Sequence, residues 1–270
     1  MSDSEKETAT PPTISIVTIC FNNLEELKET VSSVDMQEQH PHEHIIIDGS
    51  TNGEIRDWLS THPQPPYRTS VSESDKGIAD AFNKGVRRST GEVLLMLNSG
   101  DKLFDPSVLL RVGEAFLADA GVQWVHGSLR LLRGGRWVVI GKPFNARLLY
   151  KGMRGTFHPT MYVRRSLFDR HGMFDTGLKI AMDFDFLCRI AEERNAFIDY
   201  PLAVFDPGGV SSKQYLRSQE ESRKAYRRHF GYSLKYELWR IRQILLNHLL
   251  ESRAGRWLYA MKVAMGWENK

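Results

Sequence analysis

The sequence predicts an α/β fold, a mixed and largely parallel sheet flanked by helices, with a helical extension at its C-terminal end. Three observations predict it. From Ile14 onward, short β-branched apolar runs alternate with segments of helical spacing; four of these runs end in polar turns of Asn, Asp and Gly; and from Tyr215 almost everything reads as helix, dense in Arg, Lys, Trp and Tyr.

The elements follow in order. "ISIVTIC" reads as a first strand and "NLEELKETVSSVDMQ" as its crossover helix. "EHIIIDGS" and "NGEIRDWLSTH" repeat the pair, as do "YRTSVSESD" and "GIADAFNKGVRRS". "GEVLLMLNSGD" is a fourth strand, apolar almost without interruption, as befits a strand covered on both faces. Strand-helix alternation of this kind makes parallel neighbours joined by right-handed crossovers. In "DPSVLLRVGEAFLAD" Asp105 stands at the cap position of a helix, with Pro106 in its first turn. "QWVHGSLRLL" and "RWVVIGKP" flank "RGGR", a hairpin signal. "GTFHPTMYVRRSLFDRHGMFD" comes next, then "IAMDFDFLCRIAEER", helical after Asp183, and the loop-like "VFDPGGVSSKQ". The helical C-terminal stretch is broken near Gly231 and Gly255, and no linker or internal repeat interrupts the chain.

Composition bounds the function classes. At 270 residues and 41% hydrophobic the chain can bury a full core. A net charge of +3 is too small for a general nucleic-acid surface, so any basic partner site is local. Cys20 and Cys188 make neither a disulfide framework nor a zinc set, which points to a reducing compartment. "MSDSEKETATPP" lacks the apolar core of a targeting signal and reads as a disordered tail over residues 1–12. No window reaches the roughly 18 continuous apolar residues of a membrane span.

In open sheets of this type, ligands bind beyond the carboxyl ends of the strands. Three of the four ends carry an Asp: Asp48, Asp75 and Asp101. One such Asp is an ordinary turn residue, but three on one edge favour a polar ligand.

In this order and spacing, "ISIVTICFNN", "HIIIDGST", "SESDKGIADAFNKGV", "GEVLLMLNSGD", "FHPTMYVRRSLFDRHGMFD", "AMDFDFLCRI" and "GGVS" resemble a family 2 glycosyltransferase of the GT-A fold, over about 200 residues. The resemblance implies a catalytic domain over residues 13–212, with "GGVS" as a loop over its active site. It implies that Asp48 reads the nucleotide base, that Asp75 and Lys76 lie near the ribose or diphosphate, and that Thr18 and Phe21 line the nucleotide pocket. Read locally, Asp75 is also a helix N-cap, and Asn83 is either a donor contact or a packed helix residue. The family pattern puts the catalytic base at Asp183. Met182 stands where the family has Glu, so the base lacks an acidic neighbour to tune it. Asp183 read locally is a helix cap, and Asp185 is a supporting acid or a first-turn charge favourable to the helix dipole.

Transfer from a nucleotide sugar needs a base for the acceptor hydroxyl and electrostatic help for the departing diphosphate. The family's metal turn carries acids at the positions of Asn98, Gly100 and Asp101; here only Asp101 is kept. The expectation is an Mn²⁺ or Mg²⁺ held by Asp101, with the Asn98 carbonyl, His158 and the donor's phosphates completing its shell, bound more weakly and more donor-dependently than by a two-acid turn. Arg164 and Arg165 neutralise phosphate or are plain surface.

Residues 213–270 hold thirteen Lys or Arg against five Glu, interleaved with Trp, Leu and Ile. This basic amphipathic extension suits an anionic membrane interface, or packing on the catalytic domain or on a second subunit of a homo-oligomer. No nucleic-acid module is present.

The expected activity is inverting transfer of a sugar from a nucleoside diphosphate donor, UDP first, to a hydroxyl of a growing glycan or lipid-linked oligosaccharide. Its expected place is the cytoplasm, peripheral on the inner face of the membrane. A nucleotide-sugar-binding scaffold of weak or absent catalysis is the alternative that the lone acid keeps open. A nucleotidyltransferase or dinucleotide-dependent oxidoreductase lacks support, since no G-x-G-x-x-G follows the first strand.

Overall fold

A computed structural model describes residues 10–133, 135–205 and 214–252. Among them nine strands form one sheet in the order β3-β2-β1-β4-β8-β6-β9-β5, with β7 pairing with β6 off this path. The first four are β1 (Ile14–Cys20), β2 (Glu43–Asp48), β3 (Arg68–Ser72) and β4 (Val93–Asn98), all parallel. Their crossovers are α1 (Leu24–Asp35), α2 (Glu54–Thr61) and α3 (Ile78–Arg88). All seven residues of β1 are buried, as the unbroken apolar run requires of a central strand.

Alternate side chains of these strands feed two cores. Val17, Ile45, Ile47, Leu94 and Met96 meet Phe82 and Val86 of α3 on one face. Ile14, Ile16, Leu95 and Leu97 meet Val108, Val112 and Phe116 of α4 (Val108–Ala118) on the other. Each such side chain contributes roughly 1.5–3 kcal/mol of burial. Gly85 lets α3 lie flush on β1, since a Cβ there would stand 2.1 Å from Val17 Cγ1.

Beyond β4 the sheet reverses direction. β8 (Tyr162–Arg164) runs antiparallel to β4 and to β6 (Trp124–Arg133), and β7 (Arg136–Ile140) closes the expected hairpin with Arg133 opposite Arg136. Three strands were not expected: β8, β5 (Lys102–Leu103) and β9 (Asn195–Phe205), the last two pairing with each other. β9 runs parallel to β6 through a register shift at Gly127–Ser128, where Pro201 withholds a ladder donor opposite Ser128. The strand therefore takes Val204 and Phe205 from the segment expected as loop.

Two expectations about ends are corrected. Ser107, not Asp105, is the cap residue of α4; Asp105 accepts from Ser107 N at 2.9 Å and Oγ at 2.8 Å and takes the Tyr200 hydroxyl, so it builds the turn ahead of the helix. Pro12 is buried and a Cβ on Gly113 would meet Pro11 at 3.1 Å, so packing begins before the expected boundary at residue 13. Residues 1–9 of the expected tail, the "GGVS" segment and residues 253–270 lie outside the described residues.

The extension packs on the domain. α7 (Tyr215–Phe230) lies against α6 (Met182–Arg189), which follows α5 (Arg165–His171), and ends at Gly231 with φ +72°. α8 (Leu234–Glu251), capped by the Ser233 hydroxyl accepting from Tyr236 N, rests on a 3-10 turn over Ala146–Lys151. Tyr226 and Tyr236 stack between α7 and α8 at 4.4 Å. Buried Asp185 on α6 ties α7 down through His229 Nε2 at 2.9 Å and Arg228 at 3.4 Å, besides Arg189 at 3.2 Å. The outer face of α8 carries a row of exposed apolar residues: Leu234, Leu238, Ile241, Leu245 and Leu249. Among the described residues no helix is long and apolar enough to cross a membrane.

Candidate active site

The parallel register aligns four strand ends on one edge: Ile19 is opposite Asn98, Cys20 opposite Asp48, and Asp48 opposite Ser72. Asp48 is buried and accepts from Ser50 N at 2.9 Å. Asp75 accepts from Gly77 N at 2.8 Å, a turn just ahead of α3, while Gly77 itself is the cap residue. Asp75 also presses against the chain after β2: a Cβ on Gly49 would lie 2.0 Å from its Oδ2. Asp48 and Asp75 thus stand on either side of Gly49, with exposed Lys76 following and Phe21, 59% exposed, at the end of β1.

The turn after β4 is fixed by α1. Thr30 Oγ1 accepts from Gly100 N at 2.9 Å and donates to Asp101 O at 2.8 Å, while Asn98 Nδ2 donates to Asp101 Oδ2 at 3.2 Å. Gly100, at φ +99°, supplies the conformation this turn needs. Asn98 therefore presents its amide to Asp101, and its carbonyl oxygen is free of that bond. His158 is half-buried, edge-on to Phe82 at 5.2 Å, its Nε2 shielded from solvent and without a partner among the described residues. Burial lowers its pKa to about 4, so the ring is neutral at pH 7. Among the described residues no three His, Cys, Asp or Glu side chains are grouped to hold a metal ion.

Other expected contacts lie elsewhere. The Thr18 side chain is wholly buried, its hydroxyl 2.9 Å from His44 Nε2 under the sheet instead of facing the edge. His44 Nδ1 accepts from Arg68 Nε at 3.1 Å, which leaves the proton on Nε2 to be donated to Thr18. Asn83 is committed to the backbone of Phe174, bonding both its N and O at 2.9 Å. Arg164 pairs in register with Val93, at the opposite end of β4 from Asn98, and donates to Val122 O at 2.8 Å. It is not placed to meet a ligand at the edge that carries Asn98.

Asp183 sits in the first turn of α6, one residue inside the helix, with Ala181 as the cap residue. It is thus not the cap that the local reading allowed. Burial pushes its carboxyl up to about 6, against the Phe184 and Asp183 amides that lower it. The carboxyl faces a cavity of about 290 Å³, near the lower end for small-molecule sites at roughly 300 Å³, formed by α6, α7, α8 and the segment 150–154.

Glu221 of α7 went unnoticed in the sequence. Its Oε2 accepts from Lys179 N at 2.9 Å, Ile180 N at 2.7 Å and Ala181 N at 3.2 Å, so a carboxylate from the extension caps the helix that bears Asp183. Burial would raise its pKa; the Ile180, Ala181 and Lys179 amides and Arg217 outweigh burial and hold it below the usual glutamate range. The signal that could have found it is Ala181 itself, a cap position with no side-chain acceptor, whose amides must be satisfied from elsewhere. Lys179 Nζ donates to Lys76 O at 2.7 Å, joining the strand-end edge to the start of α6.

Comparison with known proteins matches this arrangement. The family model "Glycosyl transferase family 2" covers residues 15–172. An uncharacterized glycosyltransferase of Mycobacterium tuberculosis is 34% identical over 206 residues, 74% of this chain and 78% of that protein. Among solved structures, S. aureus TarS in complex with UDP-GlcNAc superposes with a TM-score of 0.63 at 18% identity, over 89% of this chain and 74% of that one. A mannosyltransferase from Pyrobaculum calidifontis, in complex with GDP-Man and Mn²⁺, gives 0.59 at 17% identity, over 97% and 84%. The sheet that reverses after β4 is accordingly the GT-A fold, and the chain belongs to the family 2 glycosyltransferases.

Proposed function

We propose that this glycosyltransferase moves a sugar from a nucleoside diphosphate donor bound at the β1–β4 edge to an acceptor hydroxyl held at Asp183, with inversion. The observation that carries the reading is Asp183: a carboxylate raised to about 6 that lines a cavity, on a helix whose preceding turn is tied to the β1–β4 edge by the Lys179–Lys76 bond. A base of that strength is ionised at pH 7 yet basic enough to take a proton as the hydroxyl attacks. Asp48 would read the base, and Asp75 and Lys76 the ribose and diphosphate. UDP is the first candidate, supported by the fold's likeness to a UDP-GlcNAc complex; GDP stands beside it on the likeness to a GDP-Man complex.

The donor set fits a weakly held divalent ion. Asp101 is a buried carboxylate, and His158 Nε2 is a neutral, buried nitrogen with no partner among the described residues. With no group of three ligands among the described residues, Mn²⁺ or Mg²⁺ would take its remaining ligands from diphosphate and water. Bound there, the ion would offset charge on the departing diphosphate.

The acceptor reading is a glycan or lipid-linked oligosaccharide, reached from an anionic membrane surface on which the apolar row of α8 lies. Flotation with anionic liposomes tests the surface: equal recovery of wild type and Leu238→Glu/Leu245→Glu would remove it. The activity itself is tested by release of nucleoside diphosphate from a panel of nucleotide sugars, with and without Mn²⁺. Turnover with one donor, abolished in Asp183→Asn, is expected; donor binding without turnover of any donor would favour a scaffold role instead.

A further inference from the structure

We propose that the cleft beside Asp183 recognises an oxyanion carried by the acceptor, a phosphate ester or a carboxylate, on a cation cluster gathered around Trp239. The inference rests on the transferase reading, in which Asp183 takes the proton of the acceptor hydroxyl. Trp239 projects from α8 into the cleft and is fixed by its Nε1 donating to Lys151 O at 3.2 Å. Three cations crowd its ring: Arg154 at 4.9 Å, Arg242 at 5.1 Å and Lys151 at 5.5 Å from the centroid.

Neighbouring arginines are treated differently. Arg223, Arg227 and Arg240 share one carboxylate, Glu237, at 2.9, 2.7 and 3.3 Å. Lys151, Arg154 and Arg242 reach no acid among the described residues; Arg154 spends a donor on the neutral Gln243 Oε1 at 2.6 Å. Burial first, then the guanidiniums of Arg242 and Arg133, depress the pKa of Arg154, as expected of positive charge held without compensation. An indole face relieves each cation by only ~0.5–1 kcal/mol at exposed sites and leaves its charge in place. Among the described residues Asp183 is the sole acid lining the cleft.

Such a surface selects its ligand by charge. A neutral sugar could stack on Trp239 but would leave the guanidiniums unanswered, whereas a phosphate or carboxylate accepts the planar Arg fork in pairs of bonds. The acceptor would then be held at two points in one cleft, its anion at Trp239 and its hydroxyl at Asp183, which fixes the attacking oxygen against rotation.

Binding measured without turnover tests the inference separately from the transferase reading. The full chain is labelled with 5-fluorotryptophan, the Trp239 resonance is assigned with Trp239→Phe, and UDP and GDP are present in excess so that the donor edge cannot take the probes. Glucose 6-phosphate, glucuronate and methyl glucoside are then titrated. One or both anionic sugars should shift Trp239 saturably, at least tenfold more tightly than methyl glucoside. Response to the phosphate alone assigns a phosphate ester, and response to glucuronate alone a carboxylate. Arg242→Gln, at an exposed helix position, should weaken the anionic probe at least tenfold with an unchanged unfolding midpoint, and Arg154→Gln should do likewise. Equal binding of methyl glucoside, no shift with either anion, or full affinity in both variants would overturn the inference. Absence of nucleoside diphosphate release beside a clear Trp239 response would instead count against transfer alone.

Discussion

Replacing Asp183 with Asn should make the protein more stable while removing its activity. Burial raises the carboxyl from an ordinary value of 3.8 to about 6. In the unfolded chain the group ionises near pH 4; in the fold it holds its proton until about pH 6. Over that window the unfolded state binds fewer protons, so this group's ionisation works against folding as pH rises, and the loss is complete above the folded value. At 1.36 kcal/mol per unit, the roughly two-unit shift amounts to about 3 kcal/mol. An Asn side chain has nearly the same shape and no charge to bury. Asp183→Asn should therefore exceed wild type by about 2–3 kcal/mol at pH 7.5, or roughly 4–10 °C in Tm for a chain of this size. The difference should close toward pH 4. Urea unfolding at the two pH values measures it, while nucleoside diphosphate release should fall about 10²- to 10⁴-fold and wild-type kcat/KM should rise through about pH 6. A variant no more stable than wild type at pH 7.5, or a difference indifferent to pH, would refute the claim that desolvation sets this carboxyl.

Further outcomes follow from the same geometry. Glu221→Ala removes an acceptor shared by three amides and should cost about 2 kcal/mol, with kcat reduced more than donor KM, because α6 loses its cap one turn from Asp183. As its pKa is held below the usual range, the contribution of Glu221 is present above the unfolded value and lost as pH falls through the folded one, so the gap between wild type and variant should shrink on acidification. Gly49→Ala places a Cβ against the free end of Asp75 and should weaken UDP binding by about tenfold at little cost in unfolding free energy, since the side chain can swing aside. Calorimetric titration of Mn²⁺ should show weak binding to the protein alone and tighter binding with UDP present; tight binding without nucleotide would show that Asp101 has ligand partners beyond those named.

The parallel half of the sheet was legible because its signals are local. β1 and β4 are apolar runs closed by Asn, Asp and Gly, so both the strands and the edge carrying Asp48, Asp75 and Asp101 could be read from adjacent letters. β9 was not, because Pro201 and the polar residues Asn195 and Asp199 mask a strand whose pairing depends on β6, some seventy residues earlier. Thr18 and Asn83 follow the family's order, yet their side chains answer to His44 and Phe174, partners fixed only by tertiary packing. Glu221 lies in "SQEESRK", indistinguishable there from any solvated helix face, and acts on amides forty residues away. The extension's charge surplus was plain from composition, but which arginines are paired and which gather on Trp239 is a matter of helix docking.

The family match ends at residue 172, ahead of Asp183, Glu221 and Trp239. On the proposed reading, donor handling and acceptor handling are written in successive stretches of one chain, joined at Lys76–Lys179 and Asn83–Phe174. If that reading holds, the molecule has the logic of a common socket with an exchangeable fitting: grafting another member's sequence after residue 172 would then change what receives the sugar and leave unchanged what gives it.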